Sequence, residues 1–115
     1  MKNIVAFLAL AISFPAMAQQ LVTPNYIVTI ERHCAEGNVT CDDVVYTGES
    51  KRSENSITLQ GTTWHTLCAD GVTPCRFLGY RFENGNVTYT VTEAGKLEVV
   101  RNATEILISE DGKWR

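Results

Sequence analysis

Basic side chains never cluster in this chain, apolar residues form one long run, and histidine occurs only at His33 and His65. Each shortage excludes something. Without a stripe of Lys and Arg the chain has no means of neutralising a row of phosphates, so nucleic acid is not an expected ligand. The single apolar run, Ile4 to Phe14, is shorter than the ~20 residues that span a bilayer, and nothing like it recurs. Neither histidine lies in a Gly-x-Ser-x-Gly elbow, so the nucleophile, base and orienter of a hydrolase are not in evidence. No glycine-rich loop runs from a strand into a helix, which removes the usual phosphate cradle. Asp42-Asp43 lacks the spaced ligands around a glycine that a calcium loop needs. The expectation is a protein without catalytic residues, metal or cofactor. A sustained helical period is also missing.

What is present begins with an export signal. Lys2 supplies a positive start, Ile4 to Phe14 an apolar run broken only by Ser13, and Pro15 a helix stop. Ala16-Met17-Ala18 gives the small-x-small pattern that signal peptidase accepts. Cleavage is expected between Ala18 and Gln19, leaving a single domain over residues 19–115. The first cysteine is Cys34, so no lipid attachment point follows the leader. The short apolar run and lone Lys suit a bacterial exporter, which points to the periplasm or the cell exterior. Loss of Lys2 takes the formal charge from −3 to −4. Mild acidity keeps such a protein soluble and suits a basic partner.

A domain of this size buries a marginal core, so covalent staples are expected. Cys34, Cys41, Cys68 and Cys75 are an even set in an exported chain, which argues for two disulfides. Four cysteines allow three pairings. Two of the intervals are alike: each encloses six residues, opens Cys-Ala-acid-Gly and contains Val-Thr. This favours Cys34 with Cys41 and Cys68 with Cys75, each closing a loop tip worth about 2.5 kcal/mol. Cross-pairing would close longer loops and stays open. Zinc is disfavoured, because structural sites space paired cysteines by two to four residues.

The remainder alternates. Tyr26, Val28 and Ile30 share one face; Val44-Val45-Tyr46 begins a strand that Gly48 is expected to stop. Ile57 and Leu59 form another strand that Gly61 is expected to end, before Thr63 to Cys68 places Trp64 and His65 on opposite faces. Leu78, Tyr80 and Phe82 share a face, and Asn84-Gly85 is a strong type I′ hairpin turn. Val87, Tyr89 and Val91 follow, then turns at Glu93-Ala94-Gly95, Arg101 to Thr104 and Asp111-Gly112, between strands carrying Leu97, Val99, Ile106 and Ile108. Trp64 and Trp114 are read first as core residues, since large aromatics are usually well buried. Short strands joined by Gly and Asn turns predict an all-β antiparallel meander, closing as a barrel or a two-sheet sandwich.

From Leu78 onward the residues carry a further signal. Leu78-Gly79-Tyr80-Arg81-Phe82, Asn84-Gly85, Tyr89, Ala94-Gly95-Lys96 and Ile106-Leu107 together resemble the bacterial periplasmic inhibitors of c-type lysozyme, and His33-Cys34 loosely echoes that family's early Tyr-x-Cys. The resemblance spans residues 78–107. It implies a small β-barrel, with Gly79, Tyr80, Phe82, Tyr89, Gly95 and Lys96 in the region that meets a partner, which would be a basic cell-wall hydrolase. The family carries an inhibitory Ser and Lys where this chain has Leu78 and Ala94, with Lys96 two residues further on. The expectation is therefore an exported binding protein, an inhibitor of such a hydrolase or an immunity protein against it. Two other readings remain: an envelope accessory that recognises glycan through Trp64, Tyr80 or Trp114, and a small enzyme using His65 with a carboxylate.

Overall fold

The structure is a computed structural model that describes residues 17–35 and 37–115. Residues 1–16 of the expected leader fall outside the described residues; its last two, Met17 and Ala18, are inside them and belong to the first strand. Nine strands follow in chain order: β1 (Met17–Val22), β2 (Tyr26–Arg32), β3 (Val44–Ser50), β4 (Ser56–Leu67), β5 (Pro74–Asn84), β6 (Val87–Thr92), β7 (Lys96–Arg101), β8 (Glu105–Asp111) and β9 (Lys113–Trp114). Every pairing is antiparallel, and the sheet order is β8-β7-β6-β5-β4-β3-β2-β1-β9.

This is a meander whose first and last strands meet. β8 pairs with β7 while β9 pairs with β1, and only Gly112 separates β8 from β9. One C-terminal stretch thereby brings both sides of the sheet together into a nearly closed barrel. Of the two architectures the periodicity allows, the barrel is the one formed.

The alternation reads directly into the lumen. Leu21, Val28, Ile30, Val44, Tyr46, Tyr80, Phe82, Val91, Leu97 and Val99 are all buried and form one core with Cys41. Each large apolar side chain so buried contributes roughly 1.5–3 kcal/mol. Tyr46 sits at the centre, its ring 5.2 Å from Phe82 and 5.4 Å from Tyr89.

Two glycines expected to interrupt strands do not. β3 continues through Gly48 to Ser50, and β4 runs unbroken through Gly61 for 12 residues, so the two strands expected on either side of Gly61 are one. The reason is space. A Cβ on Gly48 would meet the Tyr46 ring, and one on Gly61 would collide with the Arg81 carbonyl oxygen and the Phe82 ring. Glycine in a strand interior often marks such a close approach.

Gly61→Ala is therefore expected to cost about 1–3 kcal/mol, as overpacking of a full core does. Urea unfolding of the oxidised protein checks this; a midpoint equal to that of the parent would mean that both the Arg81 carbonyl and the Phe82 ring give way freely.

Candidate functional site

Connections in a meander alternate between the two ends of the barrel. One end carries the tight turns at 23–25, 51–55, 85–86 and 102–104. The opposite end carries the start of β1, the β2–β3 loop, the β4–β5 connection and the β6–β7 turn. Both disulfides lie at this second end, paired locally as the spacing favoured: Cys34 with Cys41 and Cys68 with Cys75. No cysteine is left free, which removes thiolate zinc ligation.

The two bridges differ in setting. Cys41 is only 1% exposed and belongs to the core. Its backbone N–H donates to Thr63 Oγ1 at 2.9 Å, and the Thr63 N–H returns to the Cys41 carbonyl at 2.8 Å. The first stapled loop is thus fastened to β4. The second bridge sits on an arm. β4 and β5 run to 12 and 11 residues, against 6 or 7 for β1, β2, β3, β6, β7 and β8. Their surplus length carries Cys68–Cys75 past the barrel. On the arm Leu67 is 60% and Val72 78% exposed, and on the neighbouring stapled loop Val39 is 67% exposed.

The tip of the arm is organised by Asp70. Its Oδ1 accepts the N–H groups of Val72 and Thr73, each at 2.9 Å, and its Oδ2 accepts the Thr73 hydroxyl. Asp side chains favour such turns because they capture backbone donors two or three residues on. The Thr73 hydroxyl first, then the Thr73 and Val72 N–H groups, hold the Asp70 carboxyl down at about 2.

Where the arm joins the barrel, β5 changes phase. Trp64 pairs with Gly79 and His65 with Phe77, so Leu78 is an extra residue in a bulge. Gly79 accommodates the kink with φ +148°, and a Cβ there would strike the Val91 carbonyl oxygen. The bulge overturns one expectation: Phe77, not Leu78, joins Tyr80 and Phe82 inside. The Phe77 ring stands 5.5 Å from His65 and 5.3 Å from Tyr80, both edge-on. Trp64 is also corrected. Register places it on the outer face, three residues from inward Gly61, with the Arg81 guanidinium 4.5 Å from its ring centre. Trp64 and His65 do take opposite faces. Trp114, by contrast, packs against the core.

The remaining candidates sort by depth. Tyr80 and Phe82 are 2% and 1% exposed, so their rings belong to the lumen; Gly79 and Gly95 are buried too. Tyr89 is half-buried against Tyr46, and Lys96 is half-buried at the start of β7. The two motifs meet, since the Glu93 N–H donates to the Leu78 carbonyl at 2.8 Å.

At this same end the barrel mouth holds a cavity of about 170 Å³, lined by Gln19, Phe77, Tyr80, Glu93 and Trp114. Trp114 Nε1 donates to the Glu93 carbonyl at 2.9 Å, pinning the indole across the mouth. Burial pushes the Tyr80 phenol up, while Arg32 and Gln19, which face its hydroxyl, pull the other way. Gln19, Arg32, Phe77 and Glu93 were not singled out by sequence reasoning. For Arg32 a signal existed: it follows Val28 and Ile30 at alternate positions, so it must point inward. His65 Nε2 meets Thr63 Oγ1 at 3.2 Å, and its buried Nδ1 has no hydrogen-bond partner. Among the described residues no three His, Cys, Asp or Glu side chains stand close enough to share a metal ion.

No protein-family model matches this chain, and neither does any curated protein or solved structure.

Two outcomes follow from the stapled end. Both bridges span the same sequence separation of 7, so loop closure alone gives them equal weight. Replacing Cys34 and Cys41 together by Ala is expected to cost the loop contribution of about 2.5 kcal/mol and a further 1–2 kcal/mol, roughly, for vacated core space. Replacing Cys68 and Cys75 together should cost no more than the loop contribution, and equal losses on urea unfolding would contradict the buried role given to Cys41. For Asp70, the folded carboxyl lies below its ordinary value of 3.8, so its turn is intact above about pH 4 and is lost as pH falls through about 2. The Val72 and Thr73 amide proton shifts should titrate with that low midpoint; a midpoint near 4 would mean the turn does not hold the carboxylate.

Proposed function

We propose that this protein acts by occupancy rather than catalysis, binding a lysozyme-like cell-wall hydrolase in the bacterial envelope through its stapled end and inhibiting it. The observation that carries this reading is the gathering of both disulfide loops, with exposed Val39, Leu67 and Val72, at one end of the barrel. A loop held in shape before it meets a partner loses little entropy on docking, so more of the contact energy appears as affinity. Exposed apolar residues on a rigid projection are the usual core of a protein interface. The formal charge of −3 suits a basic partner.

The resemblance adds direction. Its two glycine motifs, at Gly79 and Gly95, lie beside one another at this end. Leu78 and Ala94 stand where that family has its Ser and Lys, so inhibition here depends on the arm and the neighbouring loop instead. Two disulfides also fit an oxidising compartment such as the periplasm or the cell exterior.

The test is an inhibition titration of the oxidised protein against lysozymes and other cell-wall hydrolases. Saturation near one-to-one is expected with at least one of them. Leu67→Asp with Val72→Asp should weaken inhibition at least tenfold with no change in the thermal midpoint. Activity unchanged across the whole panel would end this reading.

A further inference from the structure

The two staples hold unequal structures. β4 pairs with β3 only as far as Gly61, and β5 pairs with β6 only as far as Gly79. From His65 outward on β4 and Phe77 outward on β5, the two strands pair only with each other. A two-stranded hairpin standing alone is marginally stable in water. The arm has few bonds of its own. The Cys68 N–H donates to the Thr73 carbonyl at 2.8 Å, the Gly71 N–H to the Cys68 carbonyl at 2.9 Å and the Arg76 N–H to Thr66 Oγ1 at 2.9 Å, with the Asp70 turn at the tip. Residues 69–76 are all exposed, and bonds open to water contribute little each. The order of the arm therefore depends on the Cys68–Cys75 bridge. The first loop does not depend on its bridge in this way, since two hydrogen bonds to Thr63 also fasten it to the wall.

Access differs as well. Cys75 is exposed and Cys68 half-buried, whereas Cys41 is 1% exposed and Cys34 packs against the core. Disulfide exchange begins with a thiolate attacking a sulfur, so access decides which bridge opens first. We infer that Cys68–Cys75 is a redox switch for the arm: a dithiol opens it selectively, the barrel stays folded and the arm loses its shape. One thiolate of the reductant bonds to Cys75 Sγ, and Cys68 leaves as a thiolate and takes up a proton. The second thiol of the reductant then attacks the mixed disulfide and releases Cys75, which also takes up a proton. Two electrons pass to the bridge, and the dithiol departs as a disulfide; the reverse exchange closes the arm again. Exposed Leu67 and Val72 lie on this arm, so the contact surface is shaped only in the oxidised form. That last consequence rests on the occupancy reading proposed above, whereas the selective opening does not.

Dithiothreitol is added in graded amounts to the purified, oxidised protein, and the thiols formed are trapped with N-ethylmaleimide and located by peptide mass. Cys68 and Cys75 are expected to label at least tenfold faster than Cys34 and Cys41. Amide hydrogen exchange is then followed in the form with only the arm opened. The Gly71 and Arg76 amides should exchange at least tenfold faster than in the oxidised protein, while Val91 and Val99 in the barrel keep their protection. Cys68→Ser with Cys75→Ser should show the same arm exchange with no label attached. Equal labelling of the two bridges, faster labelling of Cys34 and Cys41, or arm exchange unchanged in both opened forms overturns the inference. Against a hydrolase that the oxidised protein inhibits, the double Ser variant should inhibit at least tenfold more weakly; full inhibition by that variant also overturns the switch. A panel in which no hydrolase responds to the oxidised protein ends the occupancy reading alone, because labelling and exchange decide the switch without a partner.

Discussion

Tyr46 and Phe82 meet in the middle of the lumen at 5.2 Å, and each ring lies over a strand position that has no side chain. Gly48 leaves room for Tyr46, and Gly61 for Phe82. A small barrel has a fixed interior, and its inward positions cannot all carry bulk. Here the bulk is concentrated in two rings and the relief in two glycines. Because Gly61 yields to the Phe82 ring rather than turning the chain, β4 stays one 12-residue strand of the barrel wall and runs on past its end. The arm and its disulfide follow from that. So does the position of Thr63, which two hydrogen bonds fasten to Cys41.

The two ends of the barrel consequently have different characters. Asn25, in the β1–β2 turn, is tied across the closure of the barrel, its side chain and backbone donating to the Glu110 carboxylate on β8 at 2.7 and 3.1 Å. Although burial works against it, those bonds hold the Glu110 carboxyl below its usual range. The stapled end is held by covalent bridges and by the phase change at Gly79. It carries the exposed Val39, Leu67 and Val72 outside, and the charges of Arg32 and Glu93 within or beside the mouth. Tight turns and covalent staples are divided along the barrel axis.

Much of the fold was legible in the sequence, because an inward residue at every second position imposes period two. Val28 with Ile30, and Val87 with Tyr89 and Val91, lie where that period puts them, whereas the hairpin turn falls one residue later than expected, at Gly85-Asn86, because Asn84 still pairs with Val87 and only Gly85 takes a positive φ. The disulfide pairing was legible from the likeness of the two Cys-Ala-acid-Gly segments. Gly48 and Gly61 were not, since a glycine that makes room and a glycine that turns the chain look the same without the ring it faces. The face taken by Phe77 was hidden for a related reason. One extra residue, Leu78, inverts the alternation, and nothing in the local pattern marks a bulge apart from the glycine after it. Trp64 was read as core because of its size, whereas the Arg81 guanidinium covers its ring on the outside. The mouth cavity draws on β1, β5, the β6–β7 turn and β9, so no single stretch of sequence announces it.

The closure through Gly112 has a consequence for how the barrel forms. β1 is the first described strand and β9 the last, and the Gln20 and Arg115 backbones exchange hydrogen bonds across 95 positions of chain. A meander can otherwise assemble strand by strand, each new one docking on its predecessor. This one cannot shut until its final residues arrive. During synthesis the growing sheet keeps an open edge along β1, the kind of edge that recruits stray strands. Contacts so distant in sequence also form slowly, because the loop entropy must be spent before they are made. The last two-residue strand thus acts as a latch, and the time before it engages is the interval in which the chain is most exposed to misassembly.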